Sequence, residues 1–185
     1  WALGWWFVGG YRDLDWHLHW RALFPAFLLF SCLTAAALAP FARRLAWPRL
    51  AGALLVLLPL AWLALAGQAL PRGGPLLVGW GWLAWPLLFL LHFVLLRRCE
   101  PLLPARLAPA WHALGLWLLL LVLAVETAAR VARLPELAPA WSAACQGFVP
   151  AALLLVLHRF GRRLTWPVGR YPAAYLGAGR DPALV

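Results

Sequence analysis

AWHALGLWLLLLVLAVETAA, residues Ala110–Ala129, is the stretch that decides the fold. His112 and Glu126, one near each end, are its only ionisable side chains, and it contains no proline. A bilayer core takes about 20 residues of predominantly apolar helix, and this run is that long. It lacks the period-two alternation of a membrane β-strand. It therefore reads as a transmembrane helix, and four similar runs lie around it, at approximately Ala22–Ala39, Leu50–Leu70, Leu76–Leu96 and Ala140–Leu157. Pro25, Pro59, Pro86 and Pro150 inside these runs would break soluble helices. In membrane helices they are tolerated, because neighbouring groups satisfy the freed carbonyls.

Composition agrees. The 185 residues are 65% hydrophobic and 12% charged, with 14 Trp, whereas soluble domains carry about 25% charged residues. All 16 basic residues are Arg, and Lys, Ile and Asn are absent, the mark of a GC-rich, bacterial type of coding sequence. A net charge of +10 raises the question of nucleic acid, but a nucleic-acid binder gathers its Arg on one solvated face. Here they fall in short clusters between apolar runs, as loop charges of a membrane protein do. Cys32, Cys99 and Cys145 have neither metal-site spacing nor a disulfide framework and read as inert. With no Met and an uncharged opening, WALGWWFVGG, the chain reads as a segment of a longer protein, so the lack of a signal peptide carries no weight.

Loop charges orient the spans. Arg43, Arg44 and Arg49 follow the first run, Arg97, Arg98 and Arg106 the third, and Arg159, Arg162, Arg163 and Arg170 the fifth. The alternate loops hold Arg72 alone, and Arg130 with Arg133 beside Glu136. The positive-inside rule makes the Arg-rich loops cytoplasmic. The expected organisation is all-α, a multi-pass transmembrane helix bundle of about five full spans. Residues 1–10 form the tail of a preceding span, 11–21 an external interfacial segment, 22–170 the five-span bundle, and 171–185 a cytoplasmic-side tail or linker. Arg43, Arg44, Trp47, Arg97, Arg98, Arg162, Arg163 and Trp166 are the interfacial anchors. The implied location is the bacterial inner (cytoplasmic) membrane, with the lipid bilayer and further spans of the same chain as partners and no nucleic acid.

RRLAWP (Arg43–Pro48) recurs as RRLTWP (Arg162–Pro167), and LAPAW (Leu107–Trp111) recurs at Leu137–Trp141. Arg and Trp anchoring at the interface, with Pro in a first helical turn, accounts for both without a structural repeat. In order along the chain, WW...GG.RDLD (Trp5–Asp15), RRLAWP, GWLAWPLLFLLHFVLLRR (Gly81–Arg98), WHALGLWLLLLVLAVE (Trp111–Glu126) and TWPVGRYPAAYL (Thr165–Leu176) follow one another. That order resembles the bacterial predicted-membrane-protein family called domain of unknown function 2339. The resemblance implies a long chain with many membrane helices, of which this is one portion, and names no reaction.

Ionisable groups inside a bilayer are functional candidates by default. Glu126 lies four residues before Arg130, on one helix face, where a paired, snorkelling carboxylate is the bland account. Gln68, Glu126 and Gln146, with Ser142 and Cys145, put polar groups at the outer ends of three spans. They make either an outward-facing polar cavity or interhelical hydrogen bonds that hold helices together. His92 and His112, at the inner ends of two spans, could together bind metal, but a site normally needs three or four ligands. Ser31, Thr34 and Thr127 stand in no nucleophile motif, and no zinc-protease, P-loop or dinucleotide signature occurs. No metal and no cofactor is expected.

DLDWHLHW, Asp13–Trp20, alternates strictly. As a strand it would gather Asp13, Asp15, His17 and His19 on one side, but a lone strand near lipid leaves its edges unpaired. As a helix it pairs Asp13 with His17 and Asp15 with His19, and Trp16 with Trp20, at i, i+4. The helix is the expectation, short and interfacial, after a break at Gly9 and Gly10. The Asp–His pairs form an external site that could also ligate a metal.

Three functions follow in order of support. The first is a membrane portion that scaffolds or assembles within the cell envelope. The second is a transporter portion built on Gln68, Glu126 and Gln146, and the third an outer-face enzyme on a lipid-linked or sugar substrate using the Asp–His stretch.

Overall fold

A backbone in hydrocarbon must satisfy its own amides, and each of the five apolar runs carries a helix in the computed structural model. The structure describes residues 1–45, 47, 50, 52, 55–72, 74–102, 107–134, 139–163 and 165–176, and among these there is no strand. The helices are α1 (Ala2–His17), α2 (Trp20–Arg44), α3 (Leu57–Arg72), α4 (Gly81–Cys99), α5 (Leu107–Val131), α6 (Pro139–Phe160) and the short α7 (Pro172–Leu176). Among the described residues, Trp20–Ala42, Gly81–Arg98, Leu107–Val131 and Ala140–Phe160 are long and apolar enough to cross a membrane. Leu57–Ala69 is a shorter apolar helix, and the start of its run lies partly outside the described residues. The protein is thus an all-α membrane protein, formed of two units, Trp1–Leu103 and Pro104–Val185.

In the first unit α2 packs against α1, α3 and α4. Its buried positions, Phe27, Leu28, Ser31, Cys32, Ala35, Ala39 and Ala42, recur every three or four residues, which keeps them along connected helix faces. Leu58, Ala61 and Leu65 on α3, and Ala84, Trp85, Leu88, Leu95 and Leu96 on α4, repeat that spacing. Lipid tails are as apolar as leucine, so close van der Waals packing of such faces holds membrane helices together, and small residues let the backbones approach. Pro25 and Pro40 lie within α2 and Pro86 within α4.

Two differences from expectation have local causes. The break anticipated at Gly9 and Gly10 is absent, and α1 runs unbroken through both. Gly10 is there for packing: a Cβ on it would meet Phe30 Cε1 at 2.5 Å, whereas one on Gly9 would meet nothing within 4 Å. Phe30 cannot easily yield, since it stacks on Trp6 at 5.5 Å and meets Phe7 edge-on at 6.1 Å, while Tyr11 lies edge-on to Phe27 at 5.5 Å. The other difference is the start of α4, at Gly81 and not Leu76. Gly79 has φ +57°, in the left-handed region open to glycine, and a Cβ on Gly81 would overlap the Leu76 carbonyl.

In the second unit α5 and α6 pack together, and α7 rests on both. Buried residues run along α5 from Ala108 through Leu116, Leu120 and Ala124 to Ala128. In α6 no residue of the apolar span is buried, and Phe148 and Leu155 are exposed.

Glycine-to-alanine changes at adjacent positions should separate packing from helix propensity. Gly10→Ala is expected to destabilise the protein by about 1–3 kcal/mol through overpacking. Gly9→Ala is expected to be neutral or stabilising by up to about 1 kcal/mol. Thermal and SDS-induced unfolding of the full chain in detergent micelles checks both.

Candidate functional site: a buried histidine held by aromatic rings

The most polar-rich buried arrangement described lies in the second unit and starts from His112. This residue sits in the second turn of α5, in line with buried Ala108 and Leu116, and is 0% exposed. A ring with two polar nitrogens is costly there unless it is hydrogen-bonded. The chain after α6 provides a partner for Nδ1. Residues 165–171 are largely turns, with the Tyr171 amide donating to the Pro167 carbonyl at 3.0 Å, and α7 follows, opening on Pro172. Proline suits a first helical position because its ring presets φ and the missing N–H would have no partner there.

This segment delivers three rings to one imidazole. His112 Nδ1 lies 2.7 Å from the Tyr175 hydroxyl. Tyr171 stacks on the imidazole at 4.4 Å and 29°, while Trp166 and Tyr175 meet it edge-on, both at 5.6 Å. Tyr175 is itself buried, and burial pushes its phenol above the ordinary value, so it remains a protonated hydroxyl. With Nδ1 unprotonated, that hydroxyl donates to it. Aromatic pairs of this kind contribute about 0.5–1.5 kcal/mol beyond the area they bury, so the rings and the hydrogen bond together fasten residues 166–175 to α5. Val168 in the same segment is 1% exposed.

The expected site residues are placed as follows. Gln68 is on α3 in the first unit, half-buried, with Nε2 enclosed and without a hydrogen-bond partner among the described residues. Glu126, 5% exposed on α5, accepts a hydrogen bond from Arg130 Nε one turn on, as the i, i+4 spacing expects. Gln146 is exposed on α6. Thus Gln68 belongs to one unit, and Glu126 and Gln146 to the other. His92 is in the first unit, 2% exposed and edge-on to Phe93, whereas His112 is in the second.

At the Asp–His stretch the helix reading holds for one pair only. His17 Nδ1 lies 2.8 Å from the Asp13 carbonyl and 3.7 Å from its carboxylate, with both side chains exposed. The chain then leaves the helix at Leu18 (φ −114°, ψ 141°). Asp15 with His19, and Trp16 with Trp20, therefore do not share a helix face as expected. The reason is the reversal that lays α2 back on α1, which needs the Leu18–His19 corner. His19 opens α2, its carbonyl accepting from the Ala22 and Leu23 amides at 2.8 and 3.2 Å. Among the described residues there is no group of three or more His, Cys, Asp or Glu placed to hold a metal.

Of the anchors, Arg44, Trp47, Arg97, Arg98 and Arg163 are exposed. Trp166 is half-buried against His112. The side chains of Arg43 and Arg162 lie outside the described residues, as do the side chain of Cys99 and residues Arg49, Arg106 and Glu136. Tyr171 and Tyr175 were not anticipated as partners of His112. Their signal was present in the sequence, since WHALG and TWPVGRYPAAYL are both landmark stretches, but nothing local links residues so far apart.

Together the spans and this fastening define a multi-pass helical membrane protein. The chain belongs to the family described as Predicted membrane protein (DUF2339), whose family model matches residues 1–185. Comparison with curated proteins and with solved structures found no match to the chain.

Tyr175→Phe keeps the ring and removes the hydroxyl, and should destabilise the protein by about 1–2 kcal/mol, measured by thermal unfolding in detergent. Alkaline pH provides a second check. Above about pH 10 an unfolded tyrosine loses its proton, while buried Tyr175 keeps its own. The unfolded state then binds fewer protons, so stability falls as pH rises. Between about pH 9 and 11.5, wild type should lose more stability than Tyr175→Phe.

Proposed function

We propose that this chain is part of a bacterial inner-membrane protein whose spans serve as a structural scaffold for assembly within the cell envelope. The loops bearing Arg43 and Arg44, Arg97 and Arg98, and Arg162 and Arg163 face the cytoplasm, and Asp13–Trp20 lies outside. The observation that carries this reading is α6, a helix long enough to cross the bilayer with nothing in its apolar span buried within its own unit. Its exposed Trp141, Phe148, Leu155 and Val156 suit lipid or further spans of the same chain. The polar groups of the other spans are largely spent on their own helices: Ser31, Thr34 and Thr127 donate to carbonyls one turn back, and Glu126 is tied to Arg130.

A second reading, a transporter portion, is favoured by one observation: the Gln68 amide nitrogen is enclosed and has no hydrogen-bond partner among the described residues. In a bilayer such an amide gains from an acceptor supplied by a ligand or another span. An outer-face enzyme built on Asp13, Asp15, His17 and His19 has less support, because the Asp15–His19 pair does not form on a shared helix.

Two measurements test the proposal. With single cysteines in a cysteine-free background, Arg44→Cys, Arg98→Cys and Arg163→Cys should resist a membrane-impermeant maleimide in intact spheroplasts and react once the membrane is opened, whereas Asp13→Cys should react in both. Labelling of the three Arg positions in intact spheroplasts would reverse the orientation. A Gln68→Ala, Glu126→Ala, Gln146→Ala triple variant, expressed at wild-type level, should still complement loss of the gene. Failure to complement would favour transport over the scaffold.

A further inference from the structure

The end of α6 carries charge that no described carboxylate answers. Arg159 and Arg163 are exposed, and both guanidinium groups are held over one ring, with Cζ 5.7 and 5.9 Å from the Phe160 centroid. Neither has an ion pair or hydrogen bond among the described residues. The one described carboxylate of this unit, Glu126, is engaged by Arg130 near the opposite end of α5, and Glu136 and Asp181 lie outside the described residues. Arg159 lies in the last turn of α6 and Arg163 closes the 3-10 turn Gly161–Arg163 that follows it, and like charges held near one ring repel. Cation–π attraction to the exposed ring offsets part of that repulsion, and an anion between the two guanidiniums would turn the remainder into attraction.

Position selects the anion. The sequence from Ala151 to Leu157 is wholly apolar, and charge begins at His158 and Arg159. Residues 158–163 are therefore where the helix leaves hydrocarbon, at the level of lipid phosphates. Guanidinium groups match phosphate oxygens with two parallel N–H bonds each, and basic clusters at this depth recognise anionic headgroups. The carboxyl end of a helix opposes an anion with a partial charge of about −0.5, which two full guanidinium charges outweigh.

We propose that Arg159 and Arg163, held over the Phe160 ring, bind the phosphate of an anionic phospholipid headgroup at the end of α6. The site depends on α6 crossing the bilayer and not on the scaffold reading, which complementation tests separately.

The test is native mass spectrometry of the full-length protein in detergent, titrated with phosphatidylglycerol or with phosphatidylcholine of the same acyl chains. Phosphatidylglycerol should bind more tightly, and its affinity should fall as salt rises. A basic residue at an anionic surface contributes roughly fivefold, so Arg159→Gln with Arg163→Gln should weaken phosphatidylglycerol binding about 30-fold, leaving phosphatidylcholine unchanged. Phe160→Leu, which keeps an apolar side chain and loses the ring, should weaken it about two- to fivefold. Arg97→Gln with Arg98→Gln, the same loss of charge at the end of α4, should change it less than about twofold. Melting temperatures near wild type confirm folding of each variant. The proposal is overturned if the Arg159/Arg163 variant binds phosphatidylglycerol like wild type, if the Arg97/Arg98 control weakens binding equally, if wild-type binding ignores salt, or if millimolar inorganic phosphate displaces the lipid.

Discussion

Peptide groups placed in hydrocarbon have only one another to bond, and every other feature of this protein is arranged around that constraint. It explains why the apolar runs are helices and why hydroxyls within them turn inward, Ser31 to the Phe27 carbonyl at 2.7 Å and Thr127 to the Leu123 carbonyl at 2.8 Å. It also explains how Pro25, Pro86 and Pro150 are tolerated within α2, α4 and α6. Each proline frees a carbonyl one turn back, and in a membrane bundle that carbonyl is satisfied from the surroundings.

Once the backbone is satisfied, helix association in lipid depends on fit. The α1–α2 pair shows how fit is obtained from a sequence rich in aromatic residues. Glycine at position 10 lets the Phe30 ring lie directly on the α1 backbone. The rings of Trp6, Phe7, Tyr11 and Phe27 close around the contact, and the Trp6 indole donates to Thr34 Oγ1 at 3.1 Å. A broad apolar surface becomes directional through these few close contacts. In the second unit the directional element is polar, His112 with Tyr175, and it secures the chain leaving α6 against the beginning of α5.

Its enclosure by three rings and a hydroxyl makes the His112 arrangement distinctive. Arg130 and His17 reach the surface and Glu126 is neutralised by a neighbour, whereas His92, 2% exposed, has Phe93 edge-on beside it. His112 is enclosed by rings and by a phenol that burial keeps protonated. Such a group holds its place with little conformational freedom, which suits a fastening between segments distant in sequence.

The all-helical, membrane-spanning class was legible in the sequence because it depends on side-chain polarity summed over about 20 residues, and Glu126 with Arg130 was legible because helical periodicity alone brings i and i+4 together. The Asp13–His17 contact followed from the same rule, which failed two residues later, where α2 folding back on α1 requires a corner at Leu18. The role of Gly10 was hidden, since a glycine pair reads as a helix break until Phe30 is seen against it. Likewise His112 was matched in the sequence with another histidine, whereas its partner is Tyr175, 63 residues away. Periodicity and composition are local sums and determined the helices. Which ring meets which backbone, and which hydroxyl reaches which imidazole, depends on the path between helices, and only the tertiary structure decided it.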